Sequence, residues 1–259
     1  MNYIVLDFEF NQAFPFKNGR QTVMNPECPF EIIQIGAVKL DEKLQFMDRF
    51  NFMIKPKIYP RIHPFVEKIT GITMNQLKDS LSFPEAYDAF LKFIGPEKSV
   101  LCTWGIDDIK SLFKNVLFYN LNTELMTDQY INVQNFATKY LHYEQGKSIG
   151  LKNAVTELNL EMESAFHNAL YDAEYTAKVF RIVCSPNLMP DTFQILDMTK
   201  KKKRNTPIDM KGLRGHFEDT MERELSPEER TLIKTAYKLG RNRTYDIITE
   251  KRSIQFSTK

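Results

Sequence analysis

The chain has 259 residues, 42% of them hydrophobic and 26% charged, with a formal net charge of +2, which indicates a folded globular protein and excludes a chain that is disordered throughout. Three widely spaced cysteines exclude a disulfide framework and a CxxC-type zinc site. No run of about 18 apolar residues predicts a membrane span, and the N-terminus has no basic region of a signal peptide, so we expect a cytoplasmic protein with no membrane partner.

The first predicted element is a buried strand at residues 3–10, in which two acids interrupt an apolar and aromatic run. Side chains two residues apart on a strand point to the same face, so Asp7 and Glu9 project together. Two unpaired carboxylates in an apolar setting raise the free energy of the fold, because burial favours the neutral acid. We therefore predict that Asp7 and Glu9 bind a metal cation. Phe8 and Phe10 alternate with them and are expected to pack in the core.

Two further strands, at residues 31–40 and 45–55, complete a predicted meander with a turn between them. The segment 11–29 between the first and second strands is rich in Pro, Asn and Gly and has no hydrophobic periodicity. This composition predicts a loop, and its place in the chain would let it overhang the acidic end of the first strand.

A second acidic position follows farther along the chain. Ser82 and Glu85 form a capping box that opens a predicted helix, and a short buried strand follows at residues 99–104. Residues 108–119 then have helical spacing of their apolar side chains. Asp108 thus lies at a strand-to-helix junction, where α/β folds place their ligand sites.

The remaining elements of this region are a strand at 127–133 and helices near 136–143, 151–158 and 168–183. Strands come first and then alternate with helices, which predicts an α/β protein with a mixed sheet flanked by helices. In the last helix Asn168 is a good N-cap, which leaves His167 in the preceding loop and places Asp172 in the first turn. An imidazole beside a carboxylate in this position is typical of a general base that serves a metal site.

Asp7, Glu9, Asp108 and Asp172 offer only oxygen ligands, and such ligands favour Mg²⁺ or Mn²⁺ over zinc. Two such ions are able to stabilise both the attacking water and the leaving oxygen of an in-line displacement at phosphorus, with His167 taking a proton from the water. Each residue alone has an ordinary alternative: an Asp-x-Glu pair arises by chance, an Asp caps a helix, and a lone His packs in a core. Their joint occurrence favours a phosphodiesterase.

The last 60 residues differ in charge from the rest. Residues 1–199 hold 19 Lys and Arg against 24 Asp and Glu, net −5, whereas residues 200–259 hold 16 against 9, net +7. Lys200 to Arg204 form a basic linker. An i,i+4 apolar repeat over 213–225 and a capping box, Ser226 with Glu229, predict a small helical module, and Gly240 is able to stop the second helix. A basic module suggests a polyanionic partner, while a solvated face, oligomerisation or a protein partner are open alternatives.

Residues 1–185 resemble the DEDDh group of the DnaQ-like 3′-to-5′ exonucleases, in the ribonuclease-H-like superfamily. The resemblance rests on residues 4–9 (IVLDFE), 104–108 (WGIDD) and 167–173 (HNALYDA), and residues 69–73 (ITGIT) are similar to a recurrent family element. The Trp-Gly-x-x-Asp form of the second motif is most similar to the Eri-type and KapD-like branch. We expect an exonuclease domain at 1–185, a linker at 186–205 and a helical basic module at 206–259.

The resemblance implies hydrolysis of single-stranded RNA or DNA from a free 3′ end, to nucleoside 5′-monophosphates, with two Mg²⁺ or Mn²⁺ ions. It also implies the catalytic residues, which are four metal ligands and one general base: Asp7, Glu9, Asp108 and Asp172 as ligands, and His167 as the base. Counting from Trp104 favours Asp108, although a shift of one residue would make Asp107 the ligand. The backbone near Phe10 would line the pocket of the terminal nucleotide. A nucleic-acid-binding protein without turnover is the alternative function, and the preference for RNA or DNA stays open.

Overall fold

The structure is a computed structural model that describes residues 1–14, 24–184, 188–195 and 209–241. Two compact units are distinguished, Met1–Met198 and Thr199–Lys259. The basic linker Lys200 to Arg204 lies outside the described residues. Within the described ranges, no helix is both long enough and apolar enough to cross a membrane.

The first unit is built on a six-stranded mixed sheet, which confirms the predicted architecture. The strands are β1 (Asn2–Gln12), β2 (Phe30–Leu40), β3 (Phe46–Met53), β4 (Ser99–Thr103), β5 (Gln129–Asn132) and β6 (Asp191–Thr192). Their order is β3-β2-β1-β4-β5-β6. β1 pairs antiparallel with β2 and parallel with β4, and β6, which the sequence did not predict, pairs antiparallel with β5. Asn11 and Gln12, predicted to begin the loop, belong to β1 because they continue its pairing with β2.

Helices accompany the sheet along the described part of this unit. They are α1 (Pro64–Thr70), α2 (Met74–Leu77), α3 (Phe83–Ile94), α4 (Asp107–Phe118), α5 (Val133–Tyr140), α6 (Leu151–Glu157) and α7 (Ala169–Val183). The predicted capping box of α3 is confirmed, because Glu85 accepts hydrogen bonds from the Ser82 backbone N–H and hydroxyl. The short helices α1 and α2 were missed, because four to seven residues are too few for an apolar periodicity to stand out.

The alternation of β1 assigns its side chains to two cores. Ile4, Leu6 and Phe8 pack with α3 and α4 on one face, and Phe10 lies against the same cluster. Val5 packs with α5, α6 and α7 on the other face. Phe8 and Phe10 therefore lie in the core as predicted, and the odd-numbered acids of β1 belong to the face that α7 covers.

The second unit, in its described part, consists of α8 (Met210–Met221) and α9 (Pro227–Arg241). The predicted capping box of α9 is confirmed by Glu229, which accepts from the Ser226 N–H, and by the Ser226 hydroxyl, which accepts from the Glu229 N–H. Gly240, which is able to stop a helix, lies within α9, one residue before the last described residue of that helix, Arg241. Residues 209–241 hold seven basic and seven acidic residues, so the +7 of the tail comes from residues 200–208 (five Lys and Arg, no acids) and 242–259 (four against two).

Candidate active site

The acids of β1 lie opposite two unusual residues of β2. Asp7 is paired with Gly36 and Glu9 with Gln34 across the antiparallel ladder. Glu9 is buried, with 8% of its surface exposed, and Asp7 is half-buried. Because paired residues of neighbouring strands point to the same side of a sheet, the two acids share their face with Gly36 and Gln34.

The N-terminus of α7 rests on that face. A Cβ atom on Gly36 would lie 2.1 Å from the carbonyl carbon of Ala169 and 2.1 Å from the amide nitrogen of Leu170. No side chain fits in that space, so glycine is what allows the first turn of α7 to approach β2 this closely. The approach carries the residues that flank this turn to the acids of β1.

The start of α7 has the geometry that the sequence predicted. The Asn168 side chain caps the helix by accepting from the N–H groups of Leu170 (3.1 Å) and Tyr171 (3.5 Å). His167 precedes the cap, is exposed, and has a left-handed φ of 67°. Its backbone N–H donates to Asp172 Oδ2 at 3.0 Å. This bond ties the loop that carries the imidazole to the first turn of the helix.

Three of the predicted residues come together closely enough to share one ion. A carboxylate oxygen of Glu9, a ring nitrogen of His167 and a carboxylate oxygen of Asp172 all lie within 4.8 Å of one another. Asp172 is buried, and its Oδ1 has no hydrogen-bond partner among the described residues. An orphaned buried carboxylate oxygen needs a partner that the protein does not supply.

Asp7 and Asp108 are not part of that closest group, but they act on it electrostatically. The pKa of Asp7 is raised well above its ordinary value by burial and then by the carboxylates of Asp108, Asp172 and Glu9. Burial, with Asp172 and Asp108, raises the pKa of Glu9 to about 8. Mutual repulsion of this kind means that the four acids cannot all ionise together without a compensating charge.

Asp107 and Asp108 are adjacent in the first turn of α4 but have different surroundings. Burial, with the neighbouring charges of Asp107 and Asp172, raises the pKa of Asp108 to about 7. The Asp107 side chain is 91% exposed and pairs with Lys110 at 2.8 Å. Asp108 is therefore the residue that faces the other acids, which agrees with the preference drawn from the motif spacing.

The pKa of the fourth acid, Asp172, has opposing causes. Burial raises the pKa of Asp172, while the His167 backbone N–H and the charge of His167 lower it. The set thus contains four carboxylates with elevated pKa values and one exposed imidazole. Oxygen donors of this number and charge fit hard divalent cations such as Mg²⁺ and Mn²⁺.

Gln34 and Gly36 are the residues of this region that the sequence analysis did not single out. A signal for both was present, since a glutamine and a glycine interrupt the run of larger apolar residues in IIQIGAV (32–38). A glycine in a strand interior indicates close backbone approach, and a buried amide indicates a specific set of hydrogen-bond partners.

Comparisons with known proteins agree with this geometry. A family model described as "Exonuclease" (RNase_T) matches residues 4–180. The chain is 26% identical over 214 residues to "Probable 3′-5′ exonuclease KapD" of Bacillus subtilis, an alignment that covers 78% of this chain and 97% of that protein. It is 32% identical over 182 residues to "DNA polymerase III PolC-type" of Thermotoga petrophila, which covers 69% of this chain and 11% of that protein.

Two solved structures show the same fold. The nuclease domain of 3′hExo, described as a DEDDh family member bound to rAMP, superimposes with a TM-score of 0.62 at 20% identity, over 74% of this chain and 97% of that one. Escherichia coli Exonuclease I in complex with a dA16 oligonucleotide gives a TM-score of 0.53 at 15% identity, over 70% of this chain and 40% of that one. The predicted ribonuclease-H-like fold is confirmed.

Proposed function

The chain belongs to the exonuclease family RNase_T, and from the geometry of its acidic site we propose that it removes nucleoside 5′-monophosphates from the 3′ end of single-stranded RNA or DNA with two Mg²⁺ or Mn²⁺ ions. The sequence prediction of an exonuclease is confirmed by the family match. The alignment along nearly all of KapD, described as a probable 3′-5′ exonuclease, supports the 3′-to-5′ direction, and the fold shared with a DEDDh family member supports that type. The ions, the catalytic residues and the substrate are the proposed part.

The observation that carries the proposal is the convergence of Glu9, His167 and Asp172 within 4.8 Å, beside two further acids. A site that only binds nucleic acid gains nothing from this arrangement, because carboxylates repel phosphate unless cations lie between them. Carboxylates whose pKa values are raised by one another lower their free energy when a divalent cation replaces the shared protons.

Asp7, Glu9, Asp108 and Asp172 would hold the cations. When bound, Mg²⁺ or Mn²⁺ would make a bound water acidic and stabilise the charge that develops on the leaving 3′ oxygen. The chain's own groups supply the remaining requirements. Asp172 also fixes the loop before α7 by accepting the His167 N–H, so that one residue has both a ligand role and a positioning role.

His167 is proposed as the general base. Its ring is exposed at the rim of the group, and it is the one side chain of the proposed set that is not assigned as a cation ligand, so it is free to take a proton. The neutral imidazole accepts the proton of the attacking water, and bulk solvent then removes it. A base at the rim needs access to solvent for this return, which the exposure of His167 provides.

The test of this function uses matched 5′-labelled RNA and DNA oligonucleotides incubated with Mg²⁺, Mn²⁺ or a chelator. A ladder that shortens one nucleotide at a time from the 3′ end, only with metal, is the expected result, and the relative rates assign the nucleic acid. Tight binding without cleavage under every metal condition would instead favour a binding protein.

We further infer that residues 1–185 form the exonuclease domain, that 186–205 link it to the helical module at 206–259, and that the basic residues of the tail contact substrate phosphates. The inference rests on the charge of +5 in residues 200–208, next to a described module with equal numbers of acids and bases. Phosphate contacts would raise affinity for long strands without sequence preference. The cytoplasmic location stays a prediction from the sequence.

Replacing Lys201, Lys202 and Lys203 with glutamine tests the tail in the intact chain. The slope of log affinity against log salt for a long single strand should fall by up to about 2, since each phosphate contact contributes about 0.7. Cleavage of a very short oligonucleotide should stay unchanged. An unaltered salt slope would contradict phosphate binding by the linker.

A further inference from the structure

The side chain of Gln34 connects three elements beneath the proposed active site. It is fully buried at the middle of β2, with 0% of its surface exposed. Its Oε1 accepts from the Ala169 N–H of α7 at 3.2 Å, and its Nε2 donates to Asn51 Oδ1 of β3 at 2.9 Å and to Asn168 Oδ1 at 3.4 Å. Both Nε2 hydrogens and one lone pair are used, so the amide is satisfied without water.

The bond to Ala169 completes the N-terminus of α7. The first four N–H groups of a helix have no partner within it. The Asn168 side chain accepts from the N–H groups of Leu170 and Tyr171, and the N–H of Asp172 makes the first i→i−4 bond, to the Asn168 carbonyl. Ala169 is the remaining donor in the first turn of the helix, and Gln34 supplies its acceptor. The helix start is therefore bonded to the sheet through this one side chain, while Gly36 two residues away leaves the space for it.

Gln34 is also paired with one of the acids of β1 across the antiparallel ladder. Gln34 is the cross-strand partner of Glu9, so the backbone beneath Glu9 and the start of α7 share one connection. His167 is adjacent to Asn168, and its N–H is bonded to Asp172. Glu9 lies on the sheet, His167 in the loop before α7 and Asp172 in its first turn. The contacts of Gln34 join the sheet to that turn, and so they bear on the distance between Glu9 and the other two residues.

We propose that Gln34 is a positioning residue that holds His167 and Asp172 in register with Glu9 through its hydrogen bonds to Ala169 and Asn168. This inference rests on the proposed function for its kinetic consequence. Catalytic groups must be held to within about 0.5 Å, and a misplacement of about 1 Å lowers a rate by about 100-fold. A residue that fills the core alone would affect stability and not this register.

The test compares two buried side-chain amides that have different hydrogen-bond partners. Gln34→Met keeps the length of the side chain and removes its hydrogen bonds. Asn115→Leu is the matched control, because Asn115 is also 0% exposed and satisfies three backbone groups, those of Phe30, Ile32 and Ser111, in the opposite core. Both substitutions remove a buried amide, but only the first one lies under α7.

Gln34→Met should lower kcat by about 10- to 100-fold with KM nearly unchanged, while Asn115→Leu should keep kcat within about twofold at temperatures below both melting points. In the metal-free proteins, Gln34→Met should speed hydrogen exchange of the Ala169 amide by about 10-fold or more and weaken Mn²⁺ binding by about 10-fold. Wild-type values of kcat and of Ala169 exchange in Gln34→Met would overturn the proposal.

If Gln34→Met does not fold, Asn51→Ala takes its place. Asn51 is exposed and accepts from Gln34 Nε2. Its replacement removes one of the three hydrogen bonds that fix the Gln34 side chain and leaves the catalytic residues untouched. A fall in kcat of about threefold with faster Ala169 exchange supports the proposal, and no change in either contradicts it. If the wild-type chain cleaves no oligonucleotide, the proposed function fails, while Ala169 exchange and Mn²⁺ affinity still decide the role of Gln34.

Discussion

Two groups of carboxylates in this chain have pKa values displaced in opposite directions. In the first turn of α9, hydrogen bonds from Arg223 and from the Ser226 N–H lower the pKa of Glu229 to about 2. At the end of β1, burial together with Asp172 and Asp108 raises the pKa of Glu9 to about 8. Arg223 and Ser226 satisfy the first carboxylate, whereas no described residue forms a hydrogen bond or an ion pair with the second. An acid that its own fold does not satisfy marks a place for an external cation.

The difference follows from what surrounds each group. Glu229 is a capping residue on the surface, where the Ser226 N–H and an arginine favour the charged form. Glu9 lies in the core face of a sheet beside other acids, and the described contacts of its neighbour Asp172 leave Oδ1 unpaired. Such a cluster destabilises the metal-free fold, and this cost is expected only where a ligand restores the balance.

The comparison predicts the largest effect for Asp172→Asn. This change keeps the size of the side chain and removes a buried negative charge from the proposed cation site, so it should lower kcat by at least about 1,000-fold. Circular dichroism should remain normal, and the metal-free variant should melt no lower than the wild type. Cleavage of a labelled oligonucleotide measures it. Asp107→Asn is the matched control, because Asp107 is exposed and paired with Lys110. Equal losses in the two variants would contradict the distinction between unsatisfied and satisfied acids.

His167→Ala is expected to have the next largest effect, a loss of about 100-fold in kcat, because general base catalysis contributes about that much or more. The ring is exposed, so the free energy of unfolding should hardly change. Binding of Mn²⁺ should weaken less than in Asp172→Asn, as judged by calorimetry. Full activity of the folded variant at neutral pH would contradict the assignment of the base.

The acids of the site should also make the stability of the metal-free protein depend on pH. Glu9 and Asp108 have raised pKa values of about 8 and about 7 in the folded state, so between their ordinary values and these the folded protein holds more protons than the unfolded chain. Its free energy of unfolding therefore falls as the pH rises from about 5 to 8. The melting temperature should drop by at least roughly 5 °C over this range.

Two further melting curves sharpen this prediction. Glu9→Gln should flatten the fall, since an amide does not ionise. Saturating Mn²⁺ should raise the melting temperature more at pH 8 than at pH 5.5, because the ions bind the ionised acids. A metal-free melting temperature that rises steadily from pH 5 to pH 8 would show that these carboxylates have no elevated pKa.

Glu229→Gln is expected to have the smallest effect. Its lowered pKa means that the carboxylate stabilises α9 at pH values above the ordinary pKa of a glutamate, and that this contribution disappears as the pH falls through about 2. The variant should lose a little helix signal in circular dichroism at neutral pH and keep its kcat on short oligonucleotides. A loss of catalysis on such substrates would contradict a purely structural role for the cap.

Much of the fold was predictable because the signals were local. The two-residue period of β1, the capping boxes at Ser82 and Ser226, and Asn168 before α7 each act within a few residues, and each prediction was confirmed. Gly240 lies inside the described part of α9, since glycine permits a helix stop without requiring one. The edge strand β6, with two residues, is fixed by its partner β5 and not by its own sequence.

The proposed catalytic residues were predictable from the sequence, but the residues that position them, Gly36 and Gln34, were not. Asp-x-Glu on a strand and a histidine before a helix cap are local patterns that the family resemblance then joined. The contact between Gly36 and the backbone of Ala169 joins positions 133 residues apart in sequence, and no local pattern records it. The same is true of Gln34, whose partners are residues 51, 168 and 169.

The most direct test of the account is a calorimetric titration of Mn²⁺ into the metal-free protein at pH 7, in two buffers with different heats of ionisation. We predict uptake of two ions with release of protons from the site, and loss of most of this binding in Asp172→Asn but not in Asp107→Asn. No uptake of Mn²⁺, or uptake without proton release that Asp172→Asn leaves unchanged, would contradict the claim that these acids form a cation site.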